Sequence, residues 1–254
     1  LHLSQLRNLD KGIVYKLIYD FDSSEHIKNR QGVLAVVRSR VKGRLEQSLA
    51  ETMRLELALQ EIPEALMVDM SYWEGQGSPL SIPSDISIID LFERSGRSLL
   101  ILGTPGAGKS FTMLQLCLEL IGNAERDNNF PIPVVFPLKT WSQEQSSLEE
   151  WLELRLNTEY GLSRPAAQAW LERDHCSLLL DGLDEVDTQV LPACIEAINL
   201  FKEQHNSDIV VCCRLDEYQS SPVKLRLRAA VRINLLEAQQ VDEFLNNPRL
   251  GLKS

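Results

Sequence analysis

The sequence has no apolar run long enough to cross a bilayer. Its longest, SLLILG and PVVFPL, fall far short of the roughly 18 to 20 residues that a spanning helix takes, so no membrane span is expected. It has no Cys-x-x-Cys pair, and its 5 cysteines (Cys117, Cys176, Cys194, Cys212, Cys213) are odd in number and set mostly among apolar neighbours. Buried free thiols in a reducing cytoplasm fit this best. Metal ligation by the adjacent Cys212 and Cys213 is the poorer reading, because neighbours on a strand point to opposite faces and His205 is the one histidine nearby. Positive charge is also short: 26 Lys and Arg stand against 36 Asp and Glu, a formal net charge of -10, which speaks against broad phosphate-backbone binding. Nucleic acid is not the expected partner. There is no internal repeat and no low-complexity tract. No basic stretch precedes an apolar one at the start, and a chain running from Leu1 to Ser254 without a terminating feature reads as a piece of a longer protein.

What is present suits a chain of 254 residues, 44% hydrophobic and 24% charged, that can bury one sizeable core with a smaller unit appended. From Asn29 to Leu66 apolar residues recur at three- and four-residue steps among good helix formers, which predicts a helical segment. Its basic residues Arg38, Arg40, Lys42 and Arg44 read as a solvated helix face in preference to a binding patch. The stretch YWEGQGSPLSIPS then collects Gly, Ser and Pro in the manner of a connection. It places a boundary near residue 80, dividing a helical segment and linker (1–80) from a second unit (81–254). From Ser98 onward, short apolar runs without strict alternation (SLLILG, PIPVVFPL, CSLLLD, DIVVCC, VRINLL) are interleaved with helical patterns, ending in EAQQVDEFL. Strands covered on both faces and joined through helices imply an α/β fold with a parallel five-stranded sheet between helices.

Gly103 to Ser110 reads GTPGAGKS, matching G-x-x-x-x-G-K-[ST] after an apolar strand and at the opening of a helix. With glycine at about 7% of ordinary sequence, a chance match in such a chain has odds on the order of one in a hundred. Gly103, Gly106 and Gly108 let the backbone curl with its N–H groups inward, Thr104, Pro105 and Ala107 complete the loop, and the helix from Phe111 adds its positive dipole end. Lys109 would reach the β- and γ-phosphates of a nucleotide as a point charge, and the Ser110 hydroxyl would ligate Mg²⁺.

LLLDGLDEV, at residues 178–186, ends a buried run in a cluster of carboxylates. A phosphate loop requires a second metal anchor on a neighbouring strand end, and Asp181 supplies it. Glu185, with Asp184 second, is the candidate to orient or deprotonate the water attacking the γ-phosphate. Asp187 is expected only to serve the start of the next helix. Arg214, at the carboxyl edge of the strand DIVVCC, is a candidate to sense γ-phosphate charge, with an ion pair to Asp216 or Glu217 as the plainer alternative.

Taken in order, GTPGAGKS, PIPVVFPLKTW with EEWL, LLLDGLDEV, VVCCR and INLLEAQQVDEFL resemble the NACHT domain of the signal-transducing STAND class of P-loop NTPases, over about residues 85–246. The form is most similar to the versions in large multidomain bacterial proteins, and EIPEAL is similar to the segment preceding them. The resemblance implies a strand order of 5-1-4-3-2, Asp181 supporting Mg²⁺, Asp184 and Glu185 near the γ-phosphate, and Arg214 as first sensor. The sensor strand of the family ends in Thr-Ser-Arg or Cys-Ser-Arg, whereas Cys212-Cys213-Arg214 drops a hydroxyl. The helical and winged-helix subdomains, with their proline motif and second sensor histidine, are missing, and Pro248 falls too early to be that proline. Base recognition is left to residues 82–89.

The implied function is ATP–Mg²⁺ binding, with GTP as a competitor, and slow hydrolysis in a cytoplasmic signalling switch for defence or stress that self-associates when ATP is bound. The alternatives are a scaffold module holding a structural nucleotide without turnover and, disfavoured by charge, an initiator-like DNA ATPase.

Overall fold

The computed structural model describes residues 26–47, 70–74, 80–81, 87–141 and 147–233. The helical pattern beyond 47, EIPEAL, EAQQVDEFL and Pro248 lie outside them. Helix α1 (26–47) is followed by strands β1 (Met70–Glu74) and β2 (Leu80–Ser81), helix α2 (Ile88–Arg94), β3 (Ser98–Gly103) and α3 (Lys109–Arg126). Then come β4 (Ile132–Pro137), α4 (Leu148–Tyr160), α5 (Arg164–Glu172), β5 (Cys176–Asp181), α6 (Leu191–Gln204), β6 (Ile209–Arg214), α7 (Leu215–Ser220) and β7 (Ala229–Ile233).

The strands form one sheet in the order β2-β1-β7-β3-β6-β5-β4. From β7 to β4 all pairings are parallel. Counting only these five in chain order gives 5-1-4-3-2, the expected arrangement. The two strands β1 and β2 add antiparallel to the β7 edge. They arise within or beside the stretch read as a bare connection, because Gly, Ser and Pro between them hide two short pairing segments from a composition-based reading.

The parallel strands read as continuous apolar runs because helices cover both faces: β3 and β5 are buried at every position. Met113, Cys117, Leu120, Ile121 and Ala124 recur at helical spacing on the buried side of α3. Helix α4 is started by Ser147, whose hydroxyl accepts from the Glu150 N–H, and stopped by Gly161 at φ 75°.

Strand β4 is an edge, and its outward groups at Val135 are capped by one side chain. The Tyr160 hydroxyl donates to the Val135 carbonyl at 2.7 Å and accepts from the Val135 N–H at 3.0 Å. Burial pushes this phenol well above its usual pKa, so it stays a neutral donor. Phe136 packs edge-on against both Tyr160 and Trp151. Tyr160→Phe leaves a buried N–H and C=O unpaired and should cost about 1–3 kcal/mol, read as a lowered urea midpoint at unchanged m-value.

Helix α1 docks on the same core. Val33, Leu34, Val37 and Val41 are buried along one stripe and belong to the hydrophobic cluster formed by the sheet and its helices. Of the four basic residues read as a solvated face, Arg38, Arg40 and Arg44 are about half-exposed and each also pairs with a carboxylate of this chain. The Arg30 guanidinium, 3% exposed, donates to the carbonyls of Ala124 at 2.6 Å and Asp127 at 2.9 Å, at the C-terminal end of α3. Arg38 pairs with Glu125, and Arg40 with Glu159 at 2.7 Å. Lys42 is exposed.

Candidate functional site

Four adjacent strands end side by side at Gly103, Arg214, Asp181 and Pro137, placing the phosphate loop and the acidic turn along one carboxyl edge of the sheet. The loop's glycines serve two different physical needs. Gly106 and Gly108 have φ of 76° and 88°, with nothing within 4 Å of where a Cβ would stand, so they are needed for conformation. Gly103 is needed for space: a Cβ there would lie 2.8 Å from the Ile233 carbonyl oxygen and 3.2 Å from the Ala107 Cβ. Packing of β3 against β7 therefore explains Gly103, where curling of the loop had been expected to.

Gly108 is the N-cap of α3 and supplies no side-chain acceptor, so the first-turn N–H groups of Ser110 and Phe111 depend on another acceptor. The Lys109 ammonium folds over the loop and donates to the carbonyls of Gly103 and Thr104, both at 3.0 Å. The Thr104 hydroxyl is buried with no hydrogen-bond partner among the described residues. Pro105 and Gly106 are at the exposed tip.

The Ser110 hydroxyl donates to Asp181 Oδ1 at 2.9 Å, over the top of β6. The other carboxylate oxygen, Oδ2, accepts from Arg44 of α1 at 2.7 Å. One hydroxyl and one carboxylate beside an open loop suit Mg²⁺, which takes hard oxygen donors, keeps waters and completes its shell with substrate phosphates. The loop, Lys109, Ser110 and Asp181 are thus the residues that could hold a nucleotide with its cation.

The rest of the acidic cluster is divided by its partners. Asp184 Oδ1 accepts the Arg214 N–H at 2.9 Å, and its Oδ2 pairs with Arg214 Nε at 2.9 Å. Arg214 reaches Glu217 more weakly at 3.4 Å, and it makes no ion pair with Asp216 among the described residues. Glu185 is exposed, its N–H donates to the Gly182 carbonyl at 3.0 Å, and its carboxylate, with no hydrogen bond or ion pair among the described residues, lies against the left-handed turn at Gly182, φ 74°. The left-handed φ at Gly182 strains any residue with a Cβ, so DGLDE needs its glycine; a Cβ there would also lie 3.1 Å from the Glu185 carboxyl carbon, which is free to give way. The Asp187 carboxylate accepts the Gln189 N–H at 2.9 Å and shapes the turn before α6, whose N-cap is Val190.

All five cysteines are buried free thiols. Burial pushes the Cys213 thiol up to about 12 and Cys212 well above its usual value, so the strand beneath the site presents neutral, unreactive sulfur. Cys212 Sγ approaches the Lys109 carbonyl at 3.8 Å and Met113 Sδ at 3.6 Å, packing β6 against α3.

Arg44 is the site residue that sequence reasoning missed. Its signal was its place three residues after Val41 and seven after Val37, on the buried stripe of its helix.

A parallel sheet ordered 5-1-4-3-2 with a glycine-rich loop between its first strand and helix defines the fold as that of the P-loop NTPases. The sequence matches no protein-family model and no curated protein sequence. Among solved structures it is similar to Cdc6p from Pyrobaculum aerophilum, at 14% identity and a TM-score of 0.36 over 58% of this chain and 41% of that one. The Aeropyrum pernix Orc1 protein, solved in complex with DNA, shares 12% identity at a TM-score of 0.38, covering 65% of this chain and 47% of the other. The Drosophila ORC bound to poly(dA/dT) DNA and Cdc6 gives 12% identity and 0.40, over 94% of this chain and 36% of the other. This chain spans less than half the length of each.

Proposed function

We propose that the chain binds ATP with Mg²⁺ and hydrolyses it slowly, as the switch of a NACHT-like regulatory NTPase whose ATP-bound form self-associates. The observation that carries this reading is the 2.9 Å hydrogen bond joining Ser110, at the start of the phosphate-loop helix, to Asp181 at the end of a strand two places away. Ser110 and Asp181 would hold Mg²⁺, which would supply charge neutralisation to a bound nucleotide.

The protein's own contribution is positioning. The loop N–H groups and the helix dipole hold phosphate oxygens, Lys109 turns from its two carbonyl acceptors to the phosphates, and Glu185 orients water. Arg214, paired with Asp184 and in register with Gly103 of the neighbouring strand, would sense the γ-phosphate charge. A nucleotide drives such a switch only through different affinities for two conformations, so slow turnover is sufficient. That use of the nucleotide, in signalling for defence or stress, rests on the likeness of LLLDGLDEV and its neighbours to the NACHT pattern.

The test is the nucleotide that copurifies. Acid release should yield an adenine nucleotide approaching one per chain, and phosphate release should be far slower than the roughly 10 s⁻¹ typical of enzymes. A guanine nucleotide would replace ATP by GTP in this reading, and a chain that neither carries nor binds any nucleotide would overturn it.

A further inference from the structure

Helix α1 is fastened to the nucleotide body by a row of arginines, and they do not all do the same thing. Arg30 and Arg38 hold the C-terminal end of α3, and Arg40 holds Glu159 at the end of α4. None of these contacts involves Ser110 or Asp181. Arg44 alone among them reaches the candidate metal site, where it donates to Asp181 Oδ2 while Ser110 occupies Oδ1.

Both oxygens of this carboxylate are therefore engaged within the chain, one by a neutral hydroxyl and one by a full positive charge. The Arg44 side chain is 41% exposed and Asp181 is 9% exposed, so the pair sits at the mouth of the site, with its cationic half able to move into solvent. A divalent cation seated between Ser110 and Asp181 needs lone pairs of the same carboxylate and repels the guanidinium.

We infer that Arg44 is a built-in competitor for the cation site, neutralising Asp181 in the empty state and leaving it when nucleotide and cation bind. The consequence is local. The turns of α1 around Arg44 (41–47) loosen, while Arg30, Val33, Val37 and Arg38 keep the rest of the helix docked. The inference rests on the nucleotide reading of the site.

Hydrogen exchange of the whole chain, empty, with ADP and EDTA, and with ADP and Mg²⁺, tests it. Residues 103–111 should be protected in both nucleotide conditions. Residues 41–47 should exchange about tenfold faster only with ADP and Mg²⁺, and 30–37 should not change. In Arg44→Gln, residues 41–47 should already exchange fast when empty. The half-saturating Mg²⁺ concentration for ADP binding should fall about three- to fivefold, the scale of a half-exposed ion pair. A protected phosphate loop with 41–47 unmoved by Mg²⁺ overturns the competitor role and leaves nucleotide binding intact. An unchanged or higher Mg²⁺ requirement in Arg44→Gln also overturns it, the latter making Arg44 a nucleotide ligand. Absence of protection at 103–111 in every condition removes the nucleotide reading and this inference with it.

Discussion

Lys109→Ala should abolish measurable ATP–Mg²⁺ binding by calorimetry, a loss of at least about 100-fold in affinity, the scale expected when one partner of a buried, hydrogen-bonded charge pair is truncated. Lys109 is part-buried, and its ammonium rests on the Gly103 and Thr104 carbonyls at 3.0 Å. Among the described residues it has no carboxylate partner, so it is free to turn toward phosphates without breaking an ion pair. The control is stability. Two hydrogen bonds at a half-exposed loop are worth about 0.5–1.5 kcal/mol each, so the variant should stay folded with a modestly lowered midpoint. Equal affinity in variant and parent would remove the phosphate-loop reading.

Glu185→Gln should keep ATP binding and slow phosphate release by about 10²-fold or more, the usual contribution of a positioned general base. The geometry separates this residue from Asp184, although the two are adjacent. Asp184 is buried against Arg214 with both oxygens committed, whereas Glu185 projects over the Gly182 turn without a partner among the described residues. Asp184→Asn should act differently, loosening Arg214 while leaving the candidate base in place. Unchanged single-turnover rates in Glu185→Gln, together with a stalled Asp184→Asn, would exchange the two roles.

The site was largely legible where its chemistry is local. GTPGAGKS carries its own strand, turn and helix start, and LLLDGLDEV carries a buried strand and the left-handed glycine that aims the carboxylates. Short-range sterics write such features directly into sequence. Strand order was available only through resemblance, since nothing in five similar apolar runs says which pairs with which. The edge strands β1 and β2 were hidden by their turn-rich surroundings.

By itself, then, the sequence determined a doubly covered parallel sheet, a phosphate loop, and an acidic strand end opposite it. Each follows from residues close together in the chain. Only the tertiary structure decided how the carboxylates are partnered: Asp184 by the Arg214 guanidinium, 30 positions away, and Asp181 by the Ser110 hydroxyl and the Arg44 guanidinium, 71 and 137 positions away. The motifs name Ser110 and Asp181 singly, and helical spacing sets Arg44 on a buried stripe, but neither says which guanidinium meets which carboxylate. A guanidinium finds its carboxylate through the packing of the Val33, Val37 and Val41 stripe on the core, and the energy of that packing, far more than that of the ion pair, sets where Arg44 ends up.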